Sequence, residues 1–125
     1  EENGHVGHGA VIHGAVIGRN ALIGMNAVIN DEAVIGSESI VAAMAFIRAG
    51  EEFAPRSLIV GIPANKLRDV TDAEVEWKNG GTRDYQELAR RSLASMKSCE
   101  PLAVSEPNRP FMPIGESMPK HSQGS

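Results

Sequence analysis

The sequence has few aromatic residues and a single cysteine. Aromatics make up 4% of the 125 residues, against 42% hydrophobic residues in all. A core must therefore be assembled from small and branched aliphatic side chains, which favours regular stacking over one deep globular centre. The single cysteine, Cys99, excludes an internal disulfide, and this favours a reducing, cytoplasmic location.

Long apolar runs and basic clusters are missing as well. No run approaches the roughly 20 apolar residues that span a bilayer, so a membrane segment is not predicted. Twelve basic against sixteen acidic residues leave a net charge of −4, and no basic block could follow a phosphate backbone. This argues against nucleic acid as a partner. The chain starts without Met or a signal peptide, and a repeat is already running by Val6, so we expect the N-terminus to be missing.

Aliphatic residues recur with a period of six over most of the first fifty residues. Small residues stand four places after most of them, and glycines follow three of them directly. Neither a helical nor a simply alternating pattern gives this spacing. The aliphatic series is Val11, Ile17, Ile23, Ile29, Ile35, Val41 and Ile47; the small series is Ala15, Ala21, Ala27, Ala33, Ser39 and Ala45; the glycines are Gly18, Gly24 and Gly36.

This period predicts a parallel β-helix, in which each six-residue repeat forms one flat side and a turn, and three repeats complete a coil. Within Ala27-Val28-Ile29, Ala27 and Ile29 should point inward and Val28 outward. We expect the glycines to supply backbone angles at the turns. The spacing falls to five between Ala10 and Ala15, so one side should be shorter there.

The outward positions are apolar on all three sides of the predicted prism. They are Val16, Leu22, Val28, Val34, Ile40 and Phe46. Contiguous apolar surface of this kind marks an interface. We therefore expect one side to be covered by C-terminal helices and the others by neighbouring subunits of a homotrimer.

The sequence after the repeats divides into two further segments. The stretch 50–63 breaks the period and predicts a loose final turn, so the β-helix is assigned to residues 1–68. Residues 69–98 predict two helices packed on the prism, one from a Thr71/Glu74 capping box to Gly80-Gly81 and one starting at Thr82. Residues 99–125, rich in Pro and Ser, predict a flexible tail.

Three of the four histidines lie close together in the segment HVGHGAVIHG, at His5, His8 and His13. Histidines five apart should lie on different sides of the prism. His8 and His13 of one chain therefore should not hold the same ion, although His8 of one chain could meet His13 of its neighbour. Surface histidines without a ligand role are common, so both interpretations stay open at this point.

The segments VGHGAVIHG, IGRNALIGMNAVI and VGIPANKLRDVTDAEVEWKNGGTRDYQEL resemble the γ-class carbonic anhydrase-like family of hexapeptide-repeat proteins. The resemblance is closest to its phenylacetic acid degradation (PaaY) and carnitine operon (CaiE) branch. It implies a left-handed β-helix trimer with Zn²⁺ or a similar divalent metal at each subunit interface. His8 and His13 match two of three metal ligands, and Tyr85 matches an active-site tyrosine. The third ligand would lie upstream of Glu1.

The resemblance implies a metal-dependent hydrolase of acyl-CoA thioesters in phenylacetate catabolism. The metal would lower the pKa of its water to about 7, and Tyr85 would position substrate or transfer a proton; alternatively Tyr85 is a packing residue of its helix. Three other functions stay open. They are CO₂ hydration by a γ-type carbonic anhydrase, CoA-dependent acyl transfer, suggested by the GIPANK segment with Lys66, and a non-catalytic accessory role.

Overall fold

The computed structural model describes residues 1–108, which contain eleven short strands and one helix. The strands are β1 (His5–Val6), β2 (Val11–Ile12), β3 (Val16–Ile17), β4 (Leu22–Ile23), β5 (Val28–Ile29), β6 (Val34–Ile35), β7 (Ile40–Val41), β8 (Phe46–Ile47), β9 (Glu52–Phe53), β10 (Ser57–Gly61) and β11 (Ala64–Asp69). The helix is α1 (Asp72–Ser95). No helix in this part of the chain is long and apolar enough to cross a bilayer.

Every third strand lies in the same sheet, which confirms the predicted parallel β-helix. The sheet orders are β1-β4-β7-β10-β11, β2-β5-β8 and β3-β6-β9. All pairs from β1 to β10 are parallel, and Leu22 pairs with Ile40, eighteen residues further on. Backbone hydrogen bonds join successive coils, as from Leu22 N to Ser39 O at 2.9 Å. Each flat side therefore stacks on the same side of the next coil.

The core consists of one aliphatic and one small residue from each repeat. Ala27 and Ile29 are fully buried, whereas Val28 between them is partly exposed. The alternation was predicted correctly, but Val11 was assigned to the wrong face. Val11 pairs with the outward-facing Val28, and Ile12 pairs with the inward-facing Ile29. The cause is the short corner that follows β2, which moves the inward phase by one residue.

The predicted reason for the glycines is wrong. Gly24 is not among the positive-φ residues; the left-handed turn angles belong to residues such as Asn20, Asn26 and Glu32, with φ of 56–59°. A Cβ on Gly24 would instead lie 2.4 Å from the backbone nitrogen of Ala43 in the next coil. Gly18 and Gly36 stand in the same position. These glycines let the backbones of successive coils approach closely.

The repeat does not end at Gly50, as the sequence had indicated. Phe53 and Ile59 continue the inward series at the spacing of six, and Ile59 is fully buried. β9 pairs with β6, and β10 pairs with β7. The stack therefore contains three coils and the first strand of a fourth. The antiparallel strand β11 follows β10 through a hairpin that contains a cis Ile62–Pro63 bond.

The C-terminal segment forms one helix rather than two. The Thr71/Glu74 capping box is present, with Thr71 N 3.0 Å from a Glu74 carboxylate oxygen and Glu74 N 3.3 Å from Thr71 Oγ1. The helix continues through Gly80-Gly81 to Ser95. Interior glycines cost a helix only about 1 kcal/mol each, whereas a proline would have ended it. Chain contacts divide the molecule into two units between Asn79 and Gly80.

The first two turns of α1 contact the β-helix through charged and polar side chains. Glu74 and Lys78 are buried, with 5% and 4% exposure. In the second unit, Tyr85, Leu93 and Met96 are 57–78% exposed. Residues 99–108 form no helix or strand and are exposed, while the remainder of the predicted tail, 109–125, lies outside the described residues.

Candidate functional site

His8 and His13 lie at two different corners of the first coil. His8 stands between β1 and β2, and His13 stands between β2 and β3. The His13 corner has only three residues, 13–15, where the same corner one coil later has four, 30–33. Gly14 turns this short corner with a φ of 60°. Strand β2 therefore separates the two imidazoles within one chain.

The His13 corner is fixed to the next coil by the backbone and by a side-chain pair. His13 N donates to Ile29 O at 2.9 Å, and Glu32 N donates to Gly14 O at 3.0 Å. His13 Nδ1 lies 3.0 Å from Asp31 Oδ1, and the two side chains are 73% and 59% exposed. A Cβ on Gly14 would lie 2.3 Å from the same Asp31 oxygen. Glycine at this position thus leaves room for the carboxylate beside His13.

His5 and His8 have different surroundings. His5 lies in β1 opposite Leu22. Burial first, then the charges of Lys78 and His8, lower the pKa of His5, so this imidazole is neutral at pH 7. His8 accepts a hydrogen bond at its backbone oxygen from Asn26 N at 2.9 Å. Within residues 1–108 of one chain, no group of three or more His, Cys, Asp or Glu side chains could hold a metal ion.

The predicted metal ligands His8 and His13 both lie in the first unit, Glu1–Asn79, at different corners of one coil. A site shared by His8 and His13 requires two chains, so it stays a prediction. Tyr85 lies in the second unit, and its catalytic role stays a prediction too. Lys66, at the predicted CoA loop, lies in β11 and its Nζ is 2.6 Å from an Asp69 carboxylate oxygen.

The sequence reading missed two polar residues beside the histidine segment. Asp31 could have been found by aligning the corners of successive coils in the sequence. Asn30-Asp31 follows β5 as His13-Gly14 follows β2. Lys78 stands four residues after Glu74 on the same buried face of α1. Its Nζ donates to Asn20 Oδ1 at 2.5 Å and to the Asn3 carbonyl. Burial lowers the pKa of Lys78.

Comparison with known proteins gives one family match. Residues 14–49 match the bacterial transferase hexapeptide (six repeats) family. The chain is 60% identical to the carnitine operon protein CaiE of Citrobacter koseri over 109 residues, which are 87% of this chain and 55% of that protein. The chain therefore spans about half the length of the curated relatives it matches.

Two solved structures share the fold at appreciable identity. A Bacillus cereus protein described as an acetyltransferase superimposes with a TM-score of 0.74 and 29% identity, over 75% of this chain and 55% of that chain. A hexapeptide transferase family protein from Anaplasma phagocytophilum superimposes with a TM-score of 0.63 and 26% identity, over 72% of this chain and 62% of that chain. The predicted metal-dependent thioesterase of phenylacetate catabolism is wrong, because these relatives are carnitine operon proteins and transferases.

Proposed function

We propose that this chain, whose residues 14–49 match the bacterial transferase hexapeptide family, is part of a trimeric acyltransferase that moves an acyl group from coenzyme A to a small acceptor. The observation that carries this proposal is the His13–Asp31 pair at the short corner. With Asp31 at Nδ1, the other ring nitrogen, Nε2, has no partner within residues 1–108. An exposed imidazole with one occupied nitrogen is what a general base requires.

The transfer follows from this arrangement in one balanced step. The acceptor hydroxyl or amine attacks the thioester carbonyl carbon while His13 Nε2 accepts its proton. The new C–O or C–N bond forms, the C–S bond breaks, and His13 returns the proton to the departing thiolate as free thiol. No other reactant is needed. The 29% identity to a protein described as an acetyltransferase supports this class of reaction.

The test measures release of the CoA thiol from acetyl-CoA by the intact trimer in the presence of single acceptors. Carnitine belongs in the acceptor panel because it carries a hydroxyl and because the 60%-identical relative is a carnitine operon protein. We expect His13→Ala to lower kcat by about 10² to 10⁴-fold. His5→Ala is the matched control and should stay within about twofold. Equal activity of wild type and His13→Ala would refute the assignment, as would the absence of acylated product with every acceptor.

A second candidate, CO₂ hydration at a divalent metal, is favoured by the separation of His8 and His13. Their two corners suit a ligand set contributed by adjacent chains, and a carboxylate on Nδ1 commonly orients a histidine that ligates through Nε2. Zn²⁺ accepts neutral imidazole nitrogens and would supply an acidified water for the reaction. His8 and His13 would hold the ion, and Asp31 would orient His13.

This candidate has its own test, which is the zinc content of mixed trimers. His8→Ala and His13→Ala should each abolish most bound zinc while the trimer stays folded. Mixing the two variants should restore part of the zinc, because some interfaces then pair an intact His8 with an intact His13. Full zinc in either single variant, or no recovery in verified mixed trimers, would remove the shared site.

A further inference from the structure

Asp31 reaches His13 from the neighbouring coil through a local adaptation of the repeat. The corner after β2 is one residue shorter than its counterpart after β5. A Cβ at position 14 would lie only 2.3 Å from Asp31 Oδ1, and Gly14 has no Cβ. Together these features leave the carboxylate beside His13 Nδ1, at 3.0 Å. Both features, the shorter corner and Gly14, occur at residues next to the contact between His13 and Asp31.

The energetics indicate that the pair does not serve stability. His13 is 73% exposed and Asp31 is 59% exposed, and ion pairs this exposed contribute little to folding. The backbone at this corner is held independently, because Gly50 N donates to Asp31 O at 2.8 Å and Glu32 N to Gly14 O at 3.0 Å. The Asp31 carboxylate can therefore be removed without loss of the coil stacking.

We infer that Asp31 is a positioning residue that fixes the Nδ1–H tautomer of His13 and makes Nε2 the working nitrogen. A carboxylate accepts hydrogen bonds and cannot donate one, so the facing ring nitrogen must carry the proton. In water a neutral imidazole divides between two tautomers, and only one of them leaves Nε2 free to accept a proton. This inference deepens the proposed function and rests on it only for its effect on catalysis.

The first measurement is the ring ¹⁵N NMR spectrum of His13 in the intact trimer at a pH where the imidazole is neutral. The wild type should show a protonated Nδ1 and a bare Nε2. Asp31→Asn can donate its amide N–H to Nδ1, so it should move His13 towards the Nε2–H form. Glu32→Gln removes the same charge one residue away and should leave the spectrum unchanged. A wild-type His13 already in the Nε2–H form would overturn the inference.

The second measurement is acyl transfer by the same variants. Asp31→Asn should lower kcat by about 10- to 100-fold with little change in KM, as removal of a residue that orients a functional histidine does. Glu32→Gln should stay within about twofold. Gly14→Ala should displace the carboxylate with Asp31 still present, because its Cβ would meet Asp31 Oδ1 and its φ of 60° strains an alanine, and His13 should then divide between both tautomers. Unchanged tautomer and kcat in Asp31→Asn would refute the positioning role. The expected tautomers in a protein without transfer activity would refute the proposed function instead.

Discussion

Gly24→Ala tests whether close approach between coils is the reason for the glycines that follow the inward aliphatics. The added Cβ would lie 2.4 Å from Ala43 N, 2.6 Å from Ala42 C and 2.7 Å from Val41 O. Unstrained contacts are about 3.5 Å or longer, so the two coils must separate locally by about 1 Å. Such a shift also strains the 2.8 Å hydrogen bond from Gly24 N to Val41 O.

The expected cost is about 2–4 kcal/mol. Overpacking contributes about 1–3 kcal/mol, and a weakened buried hydrogen bond contributes about 1 kcal/mol more. Because the contacts are to backbone atoms, no side-chain rotation can relieve them. This is a large fraction of the roughly 5–15 kcal/mol that stabilises a typical domain.

Two other glycines serve as controls for Gly24→Ala. Gly50 has a φ of 71° with no atom within 4 Å of a built Cβ, so Gly50→Ala should cost about 1–2 kcal/mol from backbone strain alone. Gly80→Ala, in helix α1, should stabilise by about 1 kcal/mol. Urea denaturation at one fixed protomer concentration would compare the free energies of unfolding of the three variants. If Gly24→Ala costs no more than Gly50→Ala, the close-approach explanation is wrong.

Three further predictions concern the helix cap, the oligomer and the tail. Glu74→Ala should lower the free energy of unfolding by about 2–3 kcal/mol, because the buried carboxylate accepts from Arg68 at 2.8 and 2.9 Å and from Thr71 N; an unchanged melting temperature would contradict this. Sedimentation should give the mass of three chains, whereas a stable monomer would remove the two-chain site. Truncation after Ser98 should leave trimer and activity intact, and a large fall in melting temperature would show that the tail packs.

The sequence alone determined the coil architecture and much of its core. A period of six requires only local alternation and a regular turn, and residues close together in the chain determine both. The capping box at Thr71 was equally readable, because its two partners stand three residues apart. The shortened side near His13 was visible too, as a single spacing of five.

Tertiary structure decided what depends on residues one coil apart. The 3.0 Å contact between His13 and Asp31, the close approach at Gly24 and the continuation of the core to Ile59 all follow from stacking one coil on the next. Stacking offsets are 17 residues across the short corner and 18 elsewhere, so a shift of one residue changes which side chains meet. That shift placed Val11 on the outer face and Asp31 beside His13. The sequence shows the short spacing, but the folded coil shows which side chains the spacing brings together.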